Sequence, residues 1–548
     1  MKKSFKRMLA ALLVAVLCLG STGMTAYAAP YKMADGNVFD AEYYANTYPD
    51  LKAAFGNDFN ALYSHYVNNG KAEGRQAYDP ATNLSTVPAY TGTTTAATTV
   101  TVPTGNGAYL VDANTVKLSA TLPKLPASDD KILYVVKMEV HTYAVGAGST
   151  VVAQVPLSLT PAVTFPYEAN GLYYKYGFAV KQGGVVKLCT TAQYITNPEL
   201  LATATKPFHT IPVVSLQGSA GGEMVKFGNY WIDLGHGAGS NTQILQVNNK
   251  GTQPNFNHPN ANPALDTHPI PNGVDLYMLN NTSQWAQLQY ADKLHRIAAT
   301  FDSQDFIIGN EVNERMWNYV AWTPGYSWEQ YVRDYMETFR VCYNAVKSAN
   351  ANARCFVCID QNWNRNNPVN NAEYYTYIDG DDFLTYFNNM ITSEGNINWS
   401  LAIHPHPVPL TWAKFWDYTG NPAGAIYKSM KTSNKMVSFE NLSVVTNFMT
   451  QPAMLSPQGT VRSIIASEVA IPASHGDVIQ GAAIYAAYEA VKRNPYVEGI
   501  VFYQDPVTGA VFQGKAFEVY ANLGKADDAY SAWAKAVIGI ADWGQVLR

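Results

Sequence analysis

The chain has 548 residues, more than one ordinary domain holds. Hydrophobic residues make up 47% and charged residues 14%, the balance of a globular protein and not of a disordered one. A formal net charge of −5, with no basic run, argues against a nucleic-acid partner.

Residues 1–28 read as a secretory signal peptide. Lys2, Lys3, Lys6 and Arg7 form a basic head, Met8 to Leu19 an apolar run, and Ala26-Tyr27-Ala28 a small-x-small cleavage site. Its removal takes the charge to about −9. No later stretch approaches ~18 unbroken apolar residues, so no transmembrane segment is expected and the mature protein should be exported, secreted or held at the cell surface.

Residues 29–77 read as a small helical module. Asp40 is placed to cap one helix, Pro49-Asp50 to open a second that Gly56 ends, and Asp58 to cap a third that closes at Asn69-Gly70. Tyr43, Tyr44, Leu51, Phe55, Leu62 and Tyr66 make its apolar face. Residues 39–75 resemble an aromatic-rich repeat of secreted proteins of Gram-positive bacteria, which implies a spacer or a surface or glycan contact. Residues 78–107, rich in Thr, Ala and Pro, have the composition of a linker.

Over 108–205, short β-branched and aromatic runs such as "KILYVVKMEV" and "YYKYGFAV" are separated by turns, which predicts a β-sandwich. From 206 to 548 short apolar strands alternate with amphipathic helices. The readable strands are "VDLYML" (274–279), "DFIIGN", "CFVCID" (355–360), "WSLAIHPHP" (399–407), "SIIASEVAI" (463–471) and "VEGIVFYQD" (497–505), with "YWIDLG" (230–235) as candidate first strand and the second unplaced. This alternation predicts an α/β fold of the (β/α)8 barrel kind. A doubly wound sheet is the alternative, although no Gly-rich phosphate loop follows any strand. Cys355 and Cys358 spell CxxC, but at i and i+3 of a strand they face opposite sides, so they read as two separate thiols.

In a parallel barrel the residues just past each strand face the active site. Glu311 stands there after "FIIGN" and Glu468 after "SIIAS". Two carboxylates across a cleft suit glycoside hydrolysis, one protonating the leaving oxygen while the other attacks the anomeric carbon. Asn310, beside the first, is placed to bond a sugar hydroxyl. His404 and His406, at i and i+2 of a strand, point one way. With His236 or Asp360 they would also make a metal-ligand set, which leaves a metal hydrolase as a rival. Trp363 in "QNWN" and Trp317, six residues past Glu311, are candidate sugar platforms.

The order of "GNE", a histidine strand and a Glu-ended strand resembles clan A glycoside hydrolases, barrels with an Asn-Glu pair after strand four and a Glu after strand seven. More closely, residues from about 110 to the end resemble an uncharacterised family of secreted bacterial barrels with an N-terminal sandwich, where "YITNPE" (194–199), "GNEVN", "HPHP" and "SEVAI" have counterparts. The resemblance implies Glu311 as acid/base, Glu468 as nucleophile, a retaining double displacement on a carbohydrate, and no metal or organic cofactor. His404 matches the first position of the clan's His-x-Tyr, whereas His406 stands where the Tyr would be. Tyr503 stands where the clan offers a Trp. A barrel that keeps its cleft and binds carbohydrate without catalysis is the other rival.

Overall fold

The computed structural model describes residues 30–32, 37–55, 62–63, 65–71, 73–82, 84, 87, 102–202, 284–300, 305–314, 327–365, 377–504, 510–524 and 526–548, and the backbone alone of 214–217, 224–227 and 244–247. The signal peptide, most of the linker, Gly56, Asp58, Trp317 and His236 lie outside these residues. The chain divides into two compact units, Met1–Thr95 and Ala96–Arg548.

In the first unit a two-residue ladder, β1 (Tyr31–Lys32) with β2 (Val38–Phe39), precedes helices α1 (Ala41–Thr47) and α2 (Pro49–Phe55). Asp40 caps α1 by accepting from the backbone N–H of Tyr43 at 2.9 Å, as its sequence position predicts. Phe39, Tyr44, Ala45, Leu51, Leu62 and Ala77 form the core of this unit.

The second unit begins with two antiparallel sheets. One has the order β3 (Gly107–Asp112), β4 (Thr115–Ser119), β7 (Ala162–Pro166). The other runs β10 (Gln193–Tyr194), β8 (Lys175–Gln182), β5 (Ile132–Met138), β6 (Thr150–Pro156), with β9 (Val185–Leu188) on β8. Leu110, Val116 and Leu118 of the first and Leu133, Val135, Phe178 and Val180 of the second enter one apolar core, because alternation turns every second side chain inward.

Eight parallel strands then close into a ring: β11 (Val214–Gln217), β12 (Met224–Phe227), β13 (Ile244–Val247), β14 (Asp305–Ile308), β15 (Arg354–Ile359), β16 (Ser400–Ile403), β17 (Ile464–Ala470) and β18 (Val497–Tyr503), which pairs back onto β11. Closure excludes the open doubly wound sheet. The first three strands differ from the expected ones. The segments 230–235 and 274–279 lie outside the described residues, and the ring takes "VSLQ", "MVKF" and "ILQV", four-residue strands in which polar residues interrupt the apolar run that would have marked them.

Helices fill the connections: α3 (Gln284–Thr300) before β14, α4 (Trp328–Ala349) before β15, α5 (Gly380–Ser393) before β16, α6 (Gly424–Thr432) and α7 (Ser443–Met449) before β17, and α8 (Asp477–Arg493) before β18. Then α9 (Gly514–Ala521) and α10 (Asp527–Ile538) follow. A capping box of Ser327 and Gln330 starts α4. Inside the ring, Ile307, Phe356, Cys358, Ala402, Ile465 and Val501 form a buried layer, while Cys355 faces the helices. At the strand starts, Arg354 binds both oxygens of Asp305, at 2.6 and 3.1 Å, and reaches Ser463 at 3.0 Å and Glu498 at 2.7 Å, clamping the N-terminal rim. Among the described residues no helix is long and apolar enough to cross a membrane.

Candidate active site

The opposite rim, where the parallel strands end, gathers the chemistry. β14 stops at Ile308. The chain then turns through Gly309, whose φ of +86° suits glycine, and reaches Glu311 with φ of +46°, a left-handed conformation that non-glycine residues seldom adopt. Such a residue costs about 1–2 kcal/mol and persists only where its surroundings hold it. Here the N–H of Val312 donates to the carbonyl of Cys358 at 2.8 Å, and that of Glu314 to the carbonyl of Glu311 at 2.7 Å. Asn313 locks the same loop to the end of β15. Its Nδ2 donates to Asp360 Oδ1 at 2.7 Å and to the Ile378 carbonyl at 3.0 Å, while its Oδ1 accepts from the Asp360 N–H at 2.9 Å.

His404 follows β16 directly and keeps the inward parity of Ala402. Its N–H donates to the Ile359 carbonyl at 3.1 Å. Its Nδ1 lies 2.7 Å from Glu311 Oε1 and 4.0 Å from Glu468 Oε2. The sum of those distances, about 6.7 Å, is the farthest apart the two oxygens can be, so one imidazole spans both carboxylates. Burial works against a charged His404, but Cys358, Glu468 and Glu311 around the ring outweigh it and hold its pKa well above the ordinary histidine value.

Glu468 faces the site because β17 is irregular. Ile464, Ala466 and Val469 join the helix-side core and Ile465 the interior layer. Strict alternation would send residue 467 inward and 468 outward. The pairing with β18 slips between Ala466 and Val469, a bulge that puts two residues in one place and brings Glu468 round to the interior. The Ser467 hydroxyl is left buried with no hydrogen-bond partner among the described residues.

His406 is tied to the same strand. The backbone N–H of Ala470 donates to its Nδ1 at 3.0 Å, so in the neutral ring the proton sits on Nε2 and the ring offers a donor there. This bears on metal binding. Ligand atoms of Glu311, His404 and His406 lie within 4.8 Å of one another, close enough to surround an ion. Yet a ligating imidazole offers one bare nitrogen to the metal and donates from the other. His406 has its acceptor nitrogen on a backbone N–H, and His404 has Glu311 on Nδ1 and Cys358 Sγ, at 3.3 Å, on Nε2. The donor set does not fit a metal centre.

Asp360 is the third carboxylate of the cluster, and sequence reasoning weighed it only as a metal ligand. Burial, then the charge of Glu311, push its carboxyl up to about 7, although hydrogen bonds from Asn313 and Asn362 favour the anion.

Asn310 is half-buried beside Glu311, and Tyr503 is half-buried at the end of β18, paired in register with Ala470. Trp363 is a correction: it is 4% exposed and packs edge-on against Phe448 at 5.2 Å between centroids, so it belongs to the core and offers no sugar platform. Trp317 lies outside the described residues. An aromatic that sequence reasoning passed over, Trp412, stands half-buried in the loop after β16, with its ring 4.3 Å from that of His475 in the loop after β17. Its position shortly past the "HPHP" strand was the available signal.

Residues 236–546 match the model of a family of unknown function, DUF5722, over more than half of the chain. The chain belongs to that family. A comparison with curated proteins gives no match. Among solved structures, this DUF5722 member is similar to a family 39 glycoside hydrolase from the gut symbiont Bacteroides cellulosilyticus at 12% identity, over 78% of this chain and 80% of that one, with a TM-score of 0.32. It is similar to a β-glucosidase mutant derived from a hyperthermophilic tetrameric structure at 13% identity, over 56% and 70%, with a TM-score of 0.33. To the GH53 catalytic domain of Ignisphaera aggregans it has 14% identity, over 50% and 66%, with a TM-score of 0.25. Scores this low leave the reading of the site to its own geometry.

Proposed function

We propose that this DUF5722 chain is an exported glycoside hydrolase that cleaves the O-glycosidic bonds of an oligo- or polysaccharide with retention. Glu311 protonates the leaving oxygen, Glu468 attacks the anomeric carbon, and Glu311 then activates water to release the sugar. The observation that carries this reading is the single imidazole of His404 lying 2.7 Å from one carboxylate and 4.0 Å from the other, at the strand ends of a parallel ring. A ceiling of about 6.7 Å on that oxygen separation suits a retaining pair, at roughly 5–5.5 Å, better than the roughly 6.5–9.5 Å of an inverting one. Asn310, His406 Nε2 and Tyr503 offer hydrogen bonds to sugar hydroxyls, and Trp412 a flat apolar face. The module at 39–75 serves as a spacer or holds the enzyme to a surface or glycan.

The test is a screen of the purified protein against polysaccharides and aryl glycosides for released reducing sugar, with Glu311→Gln and Glu468→Gln as controls. NMR of the first-formed anomer reads the stereochemistry. Turnover with retention, lost in both variants, is expected. Binding without turnover across the screen would favour a carbohydrate-binding barrel, and an inverted product would overturn the assignment of Glu468 as nucleophile.

A further inference from the structure

Cys358 has no part in the chemistry above, yet it touches the site from below. Its side chain lies in the buried interior layer of the ring, with Sγ 3.3 Å from His404 Nε2. The opposite nitrogen of that ring is the one 2.7 Å from Glu311. The main chain of Cys358 is tied to the same place, because its carbonyl accepts from the N–H of Val312, next to Glu311. An ionised carboxylate only accepts, and so does the carbonyl oxygen of a carboxyl whose proton sits on Oε2, so Nδ1 is the nitrogen that carries a proton toward Glu311 Oε1 in both states. Other titratable groups surround the pair: Glu468 with Oε2 4.0 Å from Nδ1, His406 with its ring centroid 5.9 Å away, Asp360 two residues beyond Cys358, and, from the helix side, Tyr335, whose hydroxyl donates to the Ile308 carbonyl at 2.6 Å.

We propose that Cys358 is a positioning residue for the acid/base: its sulfur holds His404 from one edge of the ring so that Nδ1–H stays on Glu311 at the other. The catalytic consequence rests on the hydrolase reading; the hold on the imidazole does not. One proton lies between Sγ and Nε2. It sits on sulfur, as a thiol donating to a neutral ring, or on nitrogen, as an imidazolium donating to a thiolate. Nothing is gained or lost between the two forms, and in both Nδ1–H remains on Glu311. When Glu311 passes its proton to the leaving oxygen, a donor already stands at the new carboxylate charge, with no solvent to reorganise. The thiol–imidazole–carboxylate line thus serves orientation, and sulfur is not the nucleophile.

The experiment uses the full chain labelled with 15N in its histidine rings, as wild type, Cys358→Ser and Cys358→Ala, with His404→Gln to assign the signal. The His404 nitrogens are followed from about pH 5 to about pH 10. Expected is an Nδ1 that stays protonated in wild type, and a His404 midpoint that drops by about one pH unit in Cys358→Ala, with Cys358→Ser between, because the hydroxyl keeps a donor but forms no anion. With substrate, kcat on the alkaline side should fall in the same order while KM stays within about twofold. If Cys358→Ala fails to fold, Cys358→Ser, one atom different, carries the measurement, and its midpoint must still lie below wild type. Identical tautomer and midpoint in all folded variants would overturn the proposal. The NMR needs no substrate, so an unmoved imidazole in an active enzyme sinks only the role of Cys358. A shifted imidazole in an inactive protein sinks only the hydrolase reading.

Discussion

Replacing Asp360 by asparagine asks whether the crowded carboxylates cost the fold stability. Burial and the charge of Glu311 raise this carboxyl from 3.8 to about 7 in the folded protein, whereas in the unfolded chain it ionises near the ordinary value. Between about pH 4 and about pH 7 the folded state therefore binds more protons than the unfolded one. Stability falls as pH rises through that window, and the contribution of this group is most favourable on the acid side. Three pH units at about 1.4 kcal/mol each put the ceiling of that loss at about 4 kcal/mol. Asp360→Asn has no charge to hold, so the slope should vanish. The new amide keeps one acceptor oxygen and sets its NH2 against one of the two Asn362 donors that the carboxylate accepted from, which lowers the whole curve by about 1–3 kcal/mol without tilting it. Urea unfolding at steps from about pH 4 to about pH 8, wild type minus variant, isolates the effect. A flat difference, or one in which wild type gains on the variant as pH rises, would refute the argument. Because the charge of Glu311 is part of what raises this carboxyl, Glu311→Gln should remove part of the same slope.

At Glu311 itself the left-handed backbone should invert the usual ranking of small residues: Glu311→Gly is expected to be more stable than Glu311→Ala by about 1 kcal/mol, both lacking activity, and equal or reversed melting points would deny the strain. Arg354→Met leaves the buried carboxylate of Asp305 unpaired at the far rim and should lower unfolding free energy by about 3–5 kcal/mol while leaving the pH–rate profile of the surviving enzyme unmoved. Trp412→Ala should raise KM about tenfold with kcat little altered; an unchanged KM removes that ring from the substrate surface.

What the sequence disclosed followed the periods of its elements. A repeat of two set His404 and His406 on one side and parted Cys355 from Cys358, and apolar runs ending at Gly309 and Ser467 marked where two carboxylates would stand. The first three ring strands stayed hidden because four residues with polar members carry too little period to read. Trp363 misled because a tryptophan past a strand reads alike whether it faces a cleft or, as here, Phe448. The sulfur of Cys358 against His404 depends on two strands 46 residues apart, which only the folded ring brings together.

The slip in β17 means that the aim of Glu468 is encoded by length as well as by letter. Straightened into plain alternation at unchanged length, the strand would turn Glu468 to the helices; with Ser467 deleted, plain alternation would leave Glu468 facing in between Ala466 and Val469. A scan of substitutions across the strand would not detect this, because each variant keeps the count. Among relatives, a one-residue gap at 467 is therefore compatible with an unchanged site, although it alters the count. A homologue carrying every cleft residue but lacking position 467 should be expected to keep its carboxylate in the cleft, whereas one that keeps position 467 but pairs in plain register would present it to the helices.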